Sequence, residues 1–170
     1  MQKGFTLVEL LISLFIVGII TAMGVGSFVS YNETKKLNLE AKNLAMRISE
    51  MKVKAFSGGS VDGAVPQMFG VETLPAAAGE YTLFADNDGD CAFGAGDAVV
   101  ERVTLTSGVS FAGLGNGKRL CYKIRENKTC LFGGACPGSG SYEFSLTAKN
   151  KTAGVAVDLA TGLAKVMTIK

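Results

Sequence analysis

The sequence of 170 residues contains no histidine, and this absence narrows the chemistry open to the chain. Histidine is the commonest general base near neutral pH and the commonest metal-ligating side chain. Its absence excludes histidine-based catalytic triads, histidine-ligated zinc and most acid–base enzymes. We therefore expect a protein that is not an enzyme.

Strong net charge is also missing, because 17 lysines and arginines stand against 15 aspartates and glutamates, a formal net charge of +2. A near-neutral total argues against a generic nucleic-acid coat protein. Hydrophobic residues make up 48% of the chain and charged residues 19%, which excludes disordered and low-complexity classes. The length fits one compact domain.

A long apolar run lies near the N-terminus, where residues 5–29 contain a single charged residue, Glu9. As a helix, about 25 residues would be roughly 38 Å long, enough to cross a hydrocarbon core of about 30 Å. The run is too long for a secretory signal peptide and lacks the small-residue cleavage site of one. We predict a transmembrane helix over residues 5–30, with Lys3 holding its N-terminal end in the cytoplasm. A plain single-pass membrane-anchored domain is one interpretation.

Glu9 is hard to explain in a plain anchor, because a carboxylate within a membrane is costly unless it is paired or protonated. Its natural partner would be a cation at the same depth. The amino terminus of a neighbouring chain would supply that cation if the chain were cleaved just before Phe5.

The residues around Glu9 resemble the processing site of type IV pilins and type II secretion pseudopilins, Lys3-Gly4-Phe5-Thr6-Leu7-Val8-Glu9. The resemblance implies that residues 1–4 are a leader peptide. Prepilin peptidase would cut between Gly4 and Phe5 and methylate the Phe5 amine. Glu9 would then pair with the Phe5 amine of an adjacent subunit and set the helix register during assembly.

By the same resemblance, the chain is a structural subunit of a type IV pilus-like or type II secretion pseudopilus filament. The expected partners are other pilin subunits (in a homo- or hetero-oligomer), prepilin peptidase, the inner-membrane assembly platform and, before assembly, membrane lipid. The precursor would be a single-pass protein of the inner (cytoplasmic) membrane with its head outside the cytoplasm. The mature subunit would lie in the pilus or pseudopilus, or at the cell surface.

The helix is expected to continue beyond the membrane, because apolar residues recur at spacings of three and four from Leu37 to Ala55. This amphipathic part covers residues 31–57, and Ser57-Gly58-Gly59-Ser60 ends it. Residues 58–170 would form a β-rich globular head. The fold class is α+β, a long N-terminal helix packed on an antiparallel sheet, which by resemblance is the pilin fold. Strands are predicted at residues 81–85, 98–106, 109–112, 119–124, 129–132, 142–147, 155–159 and 164–168.

Residues 83–101 narrow the resemblance to H-type pseudopilins and FimT-like minor pilins, in which an acidic turn and a Gly-Asp step precede a strand. The alternative function is therefore that of a DNA-binding minor pilin for DNA uptake. Against it, Thr161-Gly162-Leu163-Ala164-Lys165 lacks the arginines that mark DNA-binding members.

Four aspartates, Asp86, Asp88, Asp90 and Asp97, occupy positions 1, 3, 5 and 12 of a candidate calcium loop. Oxygen ligands at alternate positions of a tight loop can converge on one Ca²⁺. However, position 12 is Asp instead of Glu, the glycine is at position 4 instead of 6, and no helix flanks the loop. A hairpin turn built from Asn and Asp ranks ahead of calcium. No cofactor is expected, and Ca²⁺ is the alternative.

The four cysteines, Cys91, Cys121, Cys130 and Cys136, are expected to form disulfides, because an exported head lies in an oxidising compartment. Zinc is disfavoured, since there is no Cys-x-x-Cys spacing and no histidine. Two bridges allow three connectivities. Cys121 and Cys130 flank a predicted hairpin, where a cross-strand bridge between them is one option.

Charge is uneven along the head. Residues 55–101 contain eight acidic and no basic residues, whereas residues 102–170 contain ten basic and three acidic ones. Opposed faces of this kind would help to hold heads in register in an open helical filament.

Five basic residues around Tyr122 are candidate DNA contacts: Lys118, Arg119, Lys123, Arg125 and Lys128. Basic side chains engage phosphates, and an aromatic ring can stack on a base. A solvated hairpin surface is the preferred interpretation, because alternate strand residues simply face water. Nucleic acid is therefore not expected as a partner.

Overall fold

A computed structural model of the chain describes residues 6–73, 79–113 and 117–167, and within these the side chains of all but residues 23–28. The chain divides into two compact units, Met1–Lys35 and Lys36–Lys170, which are described in turn. One helix, α1 (Leu7–Ser57), contributes residues to both units. The predicted long N-terminal helix is therefore confirmed.

In the first unit, α1 presents a row of apolar side chains that are largely exposed, from Leu7 (78%) to Phe15 (70%) and Ile20 (66%). In the described part of the chain, no helix combines the length and hydropathy that a membrane crossing requires. The predicted transmembrane segment, residues 5–30, includes Phe5 and the side chains of residues 23–28, which lie outside the described part.

In the second unit, α1 buries the apolar stripe that its periodicity predicts. Six side chains along one side of the helix are at most 1% exposed: Leu37, Ala41, Leu44, Ile48, Met51 and Ala55. The helix ends where Gly58 adopts a left-handed conformation with φ +68°. The backbone N–H of Gly59 donates to the Lys54 carbonyl at 2.9 Å, and that of Gly58 donates to the Ala55 carbonyl at 3.2 Å. Glycine suits this position because it has no Cβ to clash in the left-handed region.

Nine strands follow the helix in the described residues. They are β1 (Met68–Thr73), β2 (Glu80–Asp86), β3 (Ala98–Thr104), β4 (Ser110–Ala112), β5 (Lys118–Lys123), β6 (Lys128–Cys130), β7 (Ser141–Ala148), β8 (Lys151–Asp158) and β9 (Ala164–Val166). All eight predicted strands have a counterpart among them. β8 begins four residues before its predicted start at residue 155, and Thr168, the predicted end of the last strand, lies outside the described residues. Sequence reasoning missed β1.

The strands form two antiparallel sheets, whereas one sheet was expected. The five-stranded sheet has the order β3-β2-β1-β5-β6, and the four-stranded sheet has the order β4-β7-β8-β9. The α+β fold class is confirmed: an N-terminal helix is followed by a β-sheet head, consistent with the pilin fold. A single core joins the buried stripe of α1 to side chains of both sheets, among them Phe69, Leu83, Phe144 and Val155. Two sheets arise because β7, β8 and β9 pair only with one another and with β4.

The central strand of the five-stranded sheet, β1, is buried on both faces. Alternate residues point to opposite faces of a sheet. Phe69 and Val71 of β1 therefore join the helix on what we call the core face. Met68 and its neighbours Phe84 and Cys121 form a second buried cluster on the opposite, outer face.

Gly70 lies at the centre of the outer face, where its register partners on the neighbouring strands are Phe84 and Cys121. A Cβ at this position would lie 2.6 Å from the Phe84 ring and 2.7 Å from the Cys121 sulfur. Because neither neighbour is the free end of a flexible side chain, the outer-face cluster requires glycine here.

The first testable prediction concerns this close approach. Gly70→Ala should lower the free energy of unfolding by about 1–3 kcal/mol, because the added methyl group overpacks the cluster. Urea titration of the full chain in detergent, followed by tyrosine fluorescence, measures the change. The matched control is Gly138→Ala, since a Cβ at Gly138 would meet nothing within 4 Å. Equal stability of the two variants would contradict the close packing of Gly70 against Phe84 and Cys121.

Candidate functional site

The N-terminal motif lies at the start of α1. The leader and the predicted cleavage and methylation positions, Gly4 and Phe5, lie outside the described residues and stay predictions. Thr6 precedes the first helical residue, and its hydroxyl accepts a hydrogen bond from the backbone N–H of Glu9 at 3.3 Å. The same hydroxyl donates to Oε2 of Glu9 at 3.4 Å. Thr6 therefore caps the first turn, and Glu9 adds a negative charge near the positive end of the helix dipole.

Glu9 lies among exposed apolar side chains. It forms no ion pair with any residue that the structure describes. The large apolar side chains around it are 43–78% exposed: Leu7, Val8, Leu10, Leu11, Ile12, Leu14, Phe15, Ile16, Val17, Ile19 and Ile20. Apolar surface of this extent marks a site that is covered by lipid or by another protein surface.

Residues 1–25 match the family model of the prokaryotic N-terminal methylation motif. The chain carries a prepilin-type signal. This signal, found in type IV pilins and pseudopilins, implies processing by prepilin peptidase and assembly with other pilin subunits. The match ends at residue 25, so the narrower resemblance to H-type pseudopilins and FimT-like minor pilins stays a prediction. No curated protein and no solved structure matches the chain.

Beyond the prepilin-type signal, the head contains an acidic loop, defined here as residues 86–97, which crosses the outer face of the five-stranded sheet. Cys91 and Phe93 of this loop pack on the outer-face cluster. The structure brings three of the four predicted calcium ligands together, because carboxylate oxygens of Asp86, Asp88 and Asp97 lie within 4.8 Å of one another. Asp90 does not belong to this group.

Backbone N–H groups already bind these carboxylates. Oδ1 of Asp86 accepts from Gly89 at 2.6 Å, and Oδ2 accepts from Cys91 at 2.7 Å. Asp97 accepts two further backbone N–H groups, both at 2.8 Å. Such contacts are the ordinary chemistry of Asp in turns, as the hairpin interpretation expects. Each carboxylate oxygen keeps a second lone pair, so Ca²⁺ binding stays a prediction.

The pKa of the Asp86 carboxyl is raised above its ordinary value. Burial is the largest cause, the N–H groups of Gly89 and Cys91 oppose it, and the negative charges of Asp97 and Asp88 add to it. Ionised Asp86 therefore costs stability. Its contribution to stability is fully present below the pKa of the unfolded chain and is lost as pH rises through the higher pKa of the folded chain.

Both pairs of cysteines are bridged, and the disulfide expectation is confirmed. The bridges are Cys91–Cys121 and Cys130–Cys136. A cross-strand bridge between Cys121 and Cys130 is not formed, although these two residues are register partners on β5 and β6. The reason is that the acidic loop places Cys91 beside Cys121, while the short 3₁₀ turn Phe132–Gly134 returns the chain toward Cys130.

The basic residues proposed as DNA contacts are mostly engaged within the head. Lys123 and Lys128 both pair with Glu126, at 2.9 and 2.8 Å. The Lys118 ammonium lies 5.0 Å from the centre of the Tyr142 ring. Lys118 and Arg125 form no ion pair among the described residues.

Tyr122 is not placed for base stacking. It is 3% exposed, and its hydroxyl donates to the Gly162 carbonyl at 2.9 Å. The side chain points to the core face because β5 alternates and Tyr122 is two residues from the buried Leu120. The interpretation of this ring as a stacking platform was wrong.

Among the described residues of the head, the carboxylates of Asp86, Glu72 and Glu40 are buried, and sequence reasoning singled out Asp86 but missed the other two. Glu72 is 2% exposed and forms an ion pair with Arg119, while one of its oxygens accepts the Phe93 N–H at 3.1 Å. Glu40 of α1 is 6% exposed and accepts both the backbone N–H and the hydroxyl of Thr106. The sequence signal that could have revealed the burial of Glu40 is its position among the regularly spaced apolar residues of α1.

The acidic and basic segments of the head are in contact with each other. The Glu72–Arg119 ion pair joins the acidic segment, residues 55–101, to the basic segment, residues 102–170. Glu101 pairs instead with Arg47 of α1 at 3.0 Å. The two segments therefore do not form two wholly separate charged faces.

The raised pKa of Asp86 gives the second testable prediction. In a carboxyl-carbon NMR titration of the full chain in detergent, Asp86 should titrate above its ordinary pKa of about 3.9. Asp158 is the internal control, because the N–H and hydroxyl of Thr161 hold the pKa of Asp158 below its usual range.

The same titration, repeated with millimolar Ca²⁺, tests the metal. A bound cation would move the Asp86 titration to lower pH while leaving Asp158 unchanged. An Asp86 titration that does not move would show that the cluster serves the turn alone.

Proposed function

We propose that the chain is a structural subunit of a type IV pilus-like or type II secretion pseudopilus filament. It is made as a single-pass inner-membrane precursor, cleaved after Gly4, methylated on Phe5 and assembled through residues 5–30. The observation that carries this proposal is the match of residues 1–25 to the methylation motif, placed at the start of a helix whose apolar side chains are exposed.

The geometry of the first turns supports this role. Side chains from Leu7 to Ile20 exchange lipid for the equivalent surfaces of other subunits, and such helices pair by close packing and polar contacts. Glu9 then gains the methylated amine of an adjacent subunit. In an apolar surrounding this pairing is much stronger than in water, and an unpaired carboxylate is costly. The axial register that places an amine beside each Glu9 avoids that cost.

The proposed role is mechanical, not enzymatic. The head contributes no histidine. Its buried carboxylates are held by Arg119 and by backbone or hydroxyl donors, as structural carboxylates are. The DNA-uptake alternative is disfavoured, because four of its five basic residues are engaged with carboxylates or aromatic rings.

The third prediction separates registration from helix capping. Glu9→Gln removes the charge but keeps an oxygen that can accept from the Thr6 hydroxyl, whereas Thr6→Val removes the cap but keeps the charge. If Glu9 acts by pairing with an amine, Glu9→Gln should reduce filament yield at least about tenfold, the loss of roughly 1.4 kcal/mol per contact. Thr6→Val should assemble at near the yield of the unchanged chain.

Filament recovery by shearing and intact mass spectrometry of membrane and filament fractions provide the measurement. The mature mass must lack residues 1–4 and carry one methyl group. An uncleaved chain in the membrane would contradict the proposed function altogether. Cleaved subunits with equal losses for Glu9→Gln and Thr6→Val would instead assign the Glu9 charge to stabilisation of the first helical turn and not to registration.

A further inference from the structure

The side of α1 that points away from the head core carries a second apolar row. We define the outer stripe as Leu39, Met46, Val53 and Phe56, whose side chains are 57%, 61%, 65% and 68% exposed. The first three are spaced by seven residues, which keeps them on one side of a helix, opposite the buried stripe. At its end the stripe opens into a groove of about 390 Å³ that Val53 and Phe56 line together with Leu163.

Two unengaged cations flank the outer stripe. Lys36 and Lys42 are exposed, and neither pairs with a carboxylate in the part of the chain that the structure describes. The cations on the neighbouring sides of the helix are used within the head. Arg47 pairs with Glu50 and Glu101, and the Lys52 ammonium donates to the Thr161 carbonyl at 2.6 Å. The outer stripe is therefore apolar with a basic margin.

The outer face of the five-stranded sheet carries an exposed apolar residue with acidic neighbours, whereas the outer stripe has basic neighbours. We define the knob as Phe132, which is 64% exposed, with Asp88 and Asp90 of the acidic loop, both also exposed. The backbone N–H groups of Gly133 and Gly134 donate to the Asp90 carbonyl at 2.8 and 3.1 Å. These bonds hold the turn that carries Phe132 against the acidic loop.

The ring of Phe132 is held in place by neighbouring groups of the head. The Arg119 guanidinium lies 4.7 Å from the ring centre, and the buried carboxylate of Glu72 neutralises that guanidinium. A bridge between Cys130 and Cys136 closes the chain around the turn. Rigid exposed aromatic side chains are typical anchors of protein interfaces, because little conformational entropy is lost on binding. The knob is an apolar anchor with an acidic margin.

The outer stripe and the knob lie on opposite sides of the head. The buried stripe of α1 packs on the core face of the five-stranded sheet, so the outer stripe points away from that sheet. The acidic loop covers the other face of the same sheet. A contact between the two surfaces cannot be formed within one head, and between copies it is heterologous. Heterologous contacts repeat without closing when the rotation between copies does not close a ring, which produces filaments.

We infer that the outer stripe of one copy packs against the knob of the next copy, with Phe132 on the apolar row and Lys42 facing Asp88 and Asp90. The inference rests on the proposed function, since it names the head surfaces by which filament subunits meet. A second copy is the occupant that fits, because the knob complements the stripe in both charge and apolar character.

The test uses the full chain in cells that assemble the filament. A photo-cross-linking phenylalanine analogue replaces Met46, and cross-linked peptides are mapped by mass spectrometry. Irradiation should give dimers in which position 46 joins residues 86–97 or 130–136 of another copy. The matched control carries the analogue at Val65, which is 58% exposed and belongs to neither surface. It should give no such dimer.

Charge reversal provides the second arm. Lys42→Glu and Asp90→Lys should each lower the cross-link yield about two- to fivefold, as expected for loss of one exposed ion pair. The double variant should restore the yield. If either single variant had lost yield because it failed to fold, the second substitution would not restore it. Asp90→Asn tests charge alone, because it keeps the Oδ1 atom that accepts the Ala92 N–H.

Methylated, assembled filaments without a cross-link from position 46 to the knob would overturn this inference and leave the proposed function standing. Cross-links from position 46 to lipid, or a double variant no better than the single ones, would overturn it as well. Failure of cleavage at Gly4 would reject the proposed function first, and the mass measurement detects that failure separately.

Discussion

Burial of β1 on both faces is the constraint on which the head depends. On the core face, Phe69 and Val71 pack under α1. On the outer face, Gly70 leaves room for the Phe84 ring and for the sulfur of Cys121. A strand in this position cannot tolerate solvent on either side, so the fold must supply two covers. One cover is the helix, which burial of apolar area holds in place. The other is the acidic loop, a short polar segment with little apolar area to bury.

The second cover explains the unusual chemistry of the loop. A segment rich in Asp and Gly would not stay on a sheet through hydrophobic burial alone. It is fixed instead by the Cys91–Cys121 bridge, by the buried carboxylate of Asp86, and by the contact of Glu72 with the Phe93 N–H. The aspartates that suggested a metal site are thus also part of what holds the polar acidic loop on the sheet. Its exposed acidic residues then become a surface of the head.

Much of the fold follows from local patterns in the sequence. The stripe from Leu37 to Ala55 and the Gly58-Gly59 break predict the head part of α1 because spacing and glycine act locally. Short strand-like runs bounded by turn residues likewise locate eight of the strands. β1 escapes because it is buried on both faces and therefore shows no alternation, and because Gly70 and Glu72 are residues that strands usually avoid.

The candidate site likewise has one part that the sequence predicts and another part that it does not. The motif around Glu9 is contiguous, so the sequence predicts it directly. The disulfide pairing, the burial of Tyr122 and the Glu72–Arg119 pair depend on which strands become neighbours across the sheet. The residues in these contacts are far apart in the sequence, so a local pattern does not predict them. No local signal distinguishes a basic residue that faces solvent from one that pairs with a buried carboxylate.

The positions of the cysteines have a kinetic consequence. Cys121 and Cys130 face each other across the β5–β6 hairpin, and each is bridged to a different residue. Hairpins form within microseconds, whereas thiols oxidise over seconds or longer. The local hairpin therefore brings Cys121 and Cys130 into bonding range before the more distant Cys91 arrives. Correct oxidation then requires the acidic loop to dock first, or a thiolate to exchange the mispaired bridge afterwards. A disulfide isomerase in the folding compartment would shorten this delay.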